Sequence, residues 1–222
     1  MVEQSGTALL LEQICNHHED KIMPLGAFKA ALMGTAGVSA GASVVLLATT
    51  TASADSAIAF TSGIDSTYGE YIFRFYNIHP SADGENFTWQ ANASGESGYN
   101  ETITSTAFHA SHTEGDDVAA MGYDGASDLA EGTGYQPLAS YTGNDNDQSF
   151  AGELHIFNPS STTYVTHFIS RASVAASPTG TNYFRQFHIA GYINTTAAIT
   201  GINFKYGSGN IDAGKIKLWG VK

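Results

Sequence analysis

The sequence predicts an all-β protein, a jelly-roll or concanavalin-like β-sandwich behind a short helical N-terminal arm. Three observations carry this. From Ser43 onward apolar residues recur at every second position. The resulting runs are short and are punctuated by Gly, Asn and Pro, as in sandwiches and barrels. No helix-period segments separate them, which argues against a parallel α/β sheet.

The arm comes first, over residues 1–42. Leu10, Leu11, Ile14 and Cys15 have helical spacing between Thr7 and Asp20, with Ser5 or Thr7 available as a cap. Met23-Pro24 interrupts, because proline cannot continue a helix and pushes the residue before it towards extended backbone. A second short helix is expected from Leu25 to Met33 on Leu25, Phe28 and Leu32, before Gly34, Gly37 and Gly41 release the chain. Two short helices with narrow apolar stripes are marginal alone in water. They are read as an assembly arm that docks on a neighbouring protein, the other reading being a cap over one end of the sandwich. Lys21 and Lys29, the run Val44–Ala48 and the site around Ala52-Ser53-Ala54 imitate a secretion signal. The apolar part is short and diluted by glycine and serine, so cleavage is not expected.

The sandwich is expected over residues 43–222. Val45, Leu47 and Thr49 open it. Glu70 to His79 is the clearest strand, with Tyr71, Phe73 and Phe75 on one face and Ile72, Arg74, Tyr76 and Ile78 on the other. Strands follow at Asn86 to Ala93 and Thr102 to His109. The C-terminal half gives alternation around Leu154 and Ile156, through Tyr164, Thr166 and Phe168, and around Phe184, Gln186 and His188. It ends with Ile202, Phe204 and Tyr206, the turn Gly207-Ser208-Gly209-Asn210, and Ile216 with Leu218. One segment breaks the rhythm. Residues 110–149 hold eight Asp and Glu and no Lys or Arg, and read as a long acidic loop excursion with short helical turns at Val118–Met121 and Asp128–Glu131.

Nine basic residues stand against twenty-one acidic ones, a net charge of −12. That balance disfavours nucleic acid, whose binding rests on Lys and Arg replacing counterions, and equally an anionic membrane surface. No run approaches the length of a membrane span. Cys15 is the only cysteine, so there is no intrachain disulfide and no cysteine-based zinc cluster.

Candidate sites are few. Tyr99, Tyr123, Tyr135 and Tyr141 lie on or beside polar loops and, with Trp89, form the candidate ligand-binding set. An aromatic ring covers the apolar face of a sugar while amides and carboxylates fix its hydroxyls. Packing at a subunit contact explains the same residues. Asp145 and Asp147, in Asn144-Asp145-Asn146-Asp147, offer oxygens of the kind calcium takes, but at no known loop spacing. Such clusters are ordinary turn formers, and no resident cofactor is expected. His155, His167 and His188 come from three strands and fall on one face if those strands are neighbours. A glycosidase needs two carboxylates across a sugar, for which Glu70, Glu85 and Glu153 at strand edges are the candidates, and no motif separates them from surface acids. Without an elbow serine, P-loop or dinucleotide fingerprint, the chain is expected not to be an enzyme.

Several phrases have a family character. Ala59-Phe60-Thr61-Ser62-Gly63-Ile64-Asp65-Ser66-Thr67-Tyr68 leads into Tyr71-Ile72-Phe73-Arg74-Phe75-Tyr76-Asn77-Ile78-His79-Pro80. Gly152-Glu153-Leu154-His155-Ile156-Phe157-Asn158-Pro159-Ser160 and Ala190-Gly191-Tyr192-Ile193-Asn194 follow, and Gly214-Lys215-Ile216-Lys217-Leu218-Trp219-Gly220 closes the chain. Over residues 44 to 222 this resembles virion structural proteins of cyanophages and other marine tailed phages. The closing strand is similar to the end of many phage fibre jelly-roll domains. The resemblance implies a virion location after synthesis in the host cytoplasm, and a jelly-roll fold. Its motifs describe strands and turns and transfer no catalytic residue.

The expected function is therefore a virion structural protein, a tail-associated fibre or adhesin component that displays its sandwich for host attachment. Its partners would be other virion proteins through the arm, further copies of itself in a homotrimer, and a host surface glycan. A capsid decoration protein and a lectin-like glycan-binding module are the alternatives.

Overall fold

β-Branched and aromatic residues recur throughout the chain after Ser43, and they fit a pleated surface buried on one side. The computed structural model describes residues 43–176 and 182–222. The arm expected over 1–42, with Leu10, Leu11, Ile14, Leu25, Phe28 and Leu32, lies outside the described residues. Among the described residues every regular element is a strand: β1 (Val44–Thr51), β2 (Ile58–Phe60), β3 (Glu70–Pro80), β4 (Glu85–Ala93), β5 (Ile103–Thr113), β6 (Ala119–Tyr123), β7 (Gln136–Thr142), β8 (Phe150–Phe157), β9 (Thr166–Ala176), β10 (Tyr183–Ile193), β11 (Ile199–Tyr206) and β12 (Ile211–Val221). None is a helix that could cross a membrane.

All ladders are antiparallel. Eight strands form one sheet in the order β1-β12-β3-β8-β9-β10-β5-β6, and four form the other, β2-β11-β4-β7. From β1 to β4 the chain changes sheet at every step. Two hairpin insertions then interrupt that alternation, β5–β6 between β4 and β7 and β9–β10 between β8 and β11. Both add strands to the same side of the larger sheet, beyond β8.

The core lies between the sheets. Phe73 and Phe75 of β3 point inward beside Leu218 of β12 and Leu154 of β8, all 2% exposed or less. From the smaller sheet come Phe60, Phe87 and Phe204. Their rings meet edge to face, Phe60 to Phe73 at 5.2 Å and Phe73 to Phe204 at 5.0 Å, the arrangement favoured by the ring quadrupole. Tyr206 is buried with them and donates its hydroxyl to the Ile78 carbonyl at 3.1 Å, joining the two sheets. Burial pushes that phenol far above its ordinary pKa.

A four-stranded sheet cannot cover the inner face of an eight-stranded one. The chain between β6 and β7 supplies the missing cover, and hydrogen bonds to two buried glutamines hold it down. Gln90 Nε2 donates to the carbonyls of Glu101 and Gly134, each at 2.9 Å. Gln136 Nε2 donates to Ser127 O at 2.7 Å, and Asp124 N reaches Ala107 O of β5 at 2.9 Å. Ile103 and Ala107 beneath are fully buried.

This corrects the expectation for residues 110–149. That stretch is not a loop excursion: it finishes β5, forms β6, covers the inner face of β5 and then runs through the core as β7. Leu138 and Ala139 of β7 are fully buried. Neither expected helical turn forms. Ala119 to Met121 belong to β6, and Asp128–Glu131 is irregular chain. Sequence periodicity missed β7 because its buried residues include Gln136, Ser140 and Thr142. Hydrogen bonds from Gln136, not hydrophobicity, make its burial affordable. The short β2 was also missed, and the strand expected from Tyr164 starts only at Thr166, leaving Tyr164 exposed in a turn.

Candidate binding surface

The two outer faces differ in kind. On the smaller sheet, strand alternation sends Thr88, Gln90, Asn203 and Lys205 outward, and these groups are satisfied locally. Thr88 Oγ1 donates to Lys205 O at 2.8 Å, and Tyr135 donates its hydroxyl to Asn203 Oδ1 at 3.1 Å. Lys205 Nζ sits 4.0 Å from the centre of the Tyr135 ring, a cation–π contact.

The outer face of the larger sheet is of another character. Among the described residues eleven large apolar or aromatic side chains are exposed, and all but Val118, Tyr141 and Tyr164 project from this one face. Phe184 is 52% exposed, Met121 80% and Tyr123 61%. Apolar groups scattered singly need no explanation, but here eight of the eleven share one face.

Cations gather on the same face. Cross-strand pairing aligns Lys217, Arg74, Glu153, Arg171, His188 and Phe108 in a single row over β12, β3, β8, β9, β10 and β5. Lys215 lies one step along β12, opposite Tyr76. Arg74 Nε is 3.8 Å from Glu153 Oε2, and its guanidinium lies 6.0 Å from the Trp219 ring. Arg171 has no ion-pair partner among the described residues. Four of the seven described Lys and Arg thus occupy one face of a protein whose net charge is −12.

Beside this row the face sinks into an open groove of about 570 Å³. Its floor is the cross-strand pair Ala151 and Ser173, too small to fill the space between their neighbours. Tyr76 stands on the β3 side, Phe184 and Gln186 on the β10 side, and Arg74, Glu153 and Arg171 close it along the charged row. Its volume lies within the range of sites for small ligands.

The residues singled out from sequence distribute over three surfaces. Tyr99 and Tyr135 come together above β11 on the smaller sheet. Burial, and then the neighbouring Tyr99, raise the Tyr135 hydroxyl above its ordinary pKa. Tyr123 is on the edge strand β6, its hydroxyl bonded to Asp128 at 2.5 Å, which raises its pKa. Tyr141 lies at the seam of β7 and β10, 5.3 Å from the Arg185 guanidinium, which Tyr183 also approaches at 5.2 Å. Trp89 must be withdrawn from the ligand-binding set. It is fully buried, edge-on to Phe168 at 4.9 Å, because the odd positions of β4 face the core.

Asp145 and Asp147 have different surroundings. The Asp145 carboxylate accepts from Gln148 Nε2 at 3.3 Å and its carbonyl contacts His79 Nε2 at 3.2 Å. Asp147 instead lines a second open depression with Asn77, His79 and Asp212. Among the described residues no group of three His, Cys, Asp or Glu is arranged to hold a metal ion. His155, His167 and His188 share the outer face of the larger sheet on adjacent strands, each beside an aromatic ring: Phe157, Tyr192 and Phe108 respectively. Of the three glutamates, Glu70 and Glu153 flank His155, at 2.5 Å from Nδ1 and 3.5 Å from Nε2. Glu85 lies apart, accepting from Ser208 Oγ at 2.7 Å. The groove was missed in the sequence because its walls come from four strands whose order is not written in any local pattern.

Comparison of the chain with protein-family models, curated proteins and solved structures gives no match.

Proposed function

We propose that this chain is a non-enzymatic attachment module of a virion, a tail-associated fibre or adhesin component whose working surface is the outer face of the eight-stranded sheet. The observation that carries the reading is the gathering on that face of most of the exposed large apolar and aromatic side chains and most of the Lys and Arg among the described residues. A sheet that only closed a core would need no such surface. Its growth to eight strands by two inserted hairpins, while the partner sheet stays at four, creates the area.

The wiring supports a jelly roll as the underlying fold. With β5, β6, β9 and β10 set aside, β1-β12-β3-β8 faces β2-β11-β4-β7. In order along the remaining eight strands this is 1-8-3-6 over 2-7-4-5, the two Greek keys of a jelly roll, an architecture used by capsid and lectin domains. Fold alone carries no function. The virion placement rests on the phrases of sequence that resemble marine tailed-phage structural proteins, and the homotrimer on analogy with phage fibres.

The experiment is immunogold labelling of intact particles with antibody raised against the full chain. Label at the tail is expected. Label spread over the head makes the chain a capsid decoration protein, with the apolar face set against the shell. Particles free of label overturn the virion assignment.

A further inference from the structure

We propose that the groove beside Arg74 and Arg171 is a binding site for an acidic oligosaccharide, a short chain of sugars carrying carboxylates. This deepens the attachment reading by naming a ligand class, but it stands on the groove itself, whether or not a virion carries the chain.

Three features converge. The first is charge. Arg74 and Arg171 flank Glu153 in the cross-strand row and stand two strand spacings apart, roughly 9–10 Å. One carboxylate sits between two guanidiniums in the row, Arg171 forms no ion pair among the described residues, and Lys217 extends the row. In a chain this acidic, that local excess of positive charge favours an anionic ligand at this one place. Guanidinium also matches a carboxylate in a bidentate fork, which an ammonium does not.

The second is the pairing of aromatic and hydrogen-bonding groups. Tyr76 and Phe184 stand on opposite rims, 41% and 52% exposed, where a ring can lie against the apolar face of a pyranose. Gln186 and Ser173 face the same space and offer both donors and acceptors to hydroxyls. The third is shape. The groove is open and crosses β3, β8, β9 and β10, about 14 Å over three strand spacings, so a chain can lie across it with both ends in solvent. A small free anion would use the arginines and leave the rims idle.

Titration calorimetry of the full chain with tetragalacturonate tests this. Binding is expected, weakened as salt is raised because the charges are exposed. Arg171→Gln should weaken it about tenfold or more, the loss of one charge-assisted bond. Lys205→Gln, which removes a cation from the other sheet, should leave it unchanged. Neutral cellotetraose should bind at least about tenfold more weakly, for the same reason. Circular dichroism and melting temperature confirm that each variant is folded.

No binding of tetragalacturonate at millimolar concentration overturns the proposal. Equal affinity for cellotetraose overturns the acidic class, and equal affinity for an oligothymidylate of matched charge overturns the saccharide. An effect of Lys205→Gln without one of Arg171→Gln overturns the location. Because calorimetry uses the purified chain, none of these outcomes depends on where the particle label falls.

Discussion

Ser105 donates a hydrogen bond of 2.6 Å to Oε1 of Gln136, and both side chains are buried. The bond ties β5 of the larger sheet to β7 of the smaller one, and Ser105 Oγ in turn accepts from Leu129 N at 2.9 Å. Gln136→Leu therefore leaves the Ser105 hydroxyl and the Ser127 carbonyl without their partner. A buried polar group orphaned in this way costs about 1–3 kcal/mol. The midpoint of urea unfolding should fall accordingly, with protease cleavage appearing first between Asp124 and Tyr135, which the network holds down.

Gly191 on β10 allows a close approach of β5. A Cβ there would stand 2.3 Å from Thr104 O and 2.8 Å from Ser105 Cβ, with Phe168 Cζ at 2.9 Å on the third side. The first of these is backbone and cannot swing aside. Gly191→Ala should destabilise by about 3 kcal/mol, the upper end for overpacking, read as a lowered melting temperature. Gly122, which has nothing near its Cβ position, should accept alanine with little change.

Acid should weaken the fold partly through Asp65 and Asp117. The Thr67 hydroxyl and backbone N–H hold Asp65 below the ordinary 3.8, with help from Tyr71. The Thr113 hydroxyl does the same for Asp117. A carboxylate whose folded pKa is depressed contributes stability that is complete above its unfolded value and is lost as pH falls through the folded one. Wild type should thus lose stability below pH 3.8, and the double variant Asp65→Asn, Asp117→Asn should fall less steeply over that range. Equal slopes in urea titrations would exclude these two groups.

Strand β6 is an edge without the usual protection. All five residues, Ala119 to Tyr123, are exposed and none is charged. Light scattering should show concentration-dependent association that Met121→Lys suppresses while the melting temperature holds. Association unchanged by this variant would move the contact elsewhere, to the face around Val44 and Leu46, for example.

Much of the fold was legible because alternation is a local signal. Tyr71, Phe73 and Phe75 announce β3 without reference to any other strand. For His155, His167 and His188 parity was not enough: they share the outer face because β8, β9 and β10 are adjacent strands, which the sequence left as a condition. Trp89 shows where parity stops helping: it says which residues share a face, not which face is buried. In β4 the even positions hold Thr88 and Gln90, which are also nearly inaccessible, so burial does not separate the faces there either. The groove is further from reach. Tyr76, Glu153, Arg171 and Phe184 become neighbours only once β3, β8, β9 and β10 are known to be adjacent, and that order depends on insertions that local pattern does not reveal.

The position of β12 also dictates when this protein can fold. It lies between β1 and β3, so these two strands, made well before it, have no direct contact with each other in the ladder and await its arrival. Among the described strands β1 has no other hydrogen-bonded neighbour, and one edge of β3 stays open until β12 arrives. Closure over so long a separation is entropically slow, which puts folding in the millisecond-to-second range of non-local β proteins. A nascent chain must therefore hold β1 and one edge of β3 unpaired until β12 has emerged, and the arrival of that strand is the event that completes the sheet.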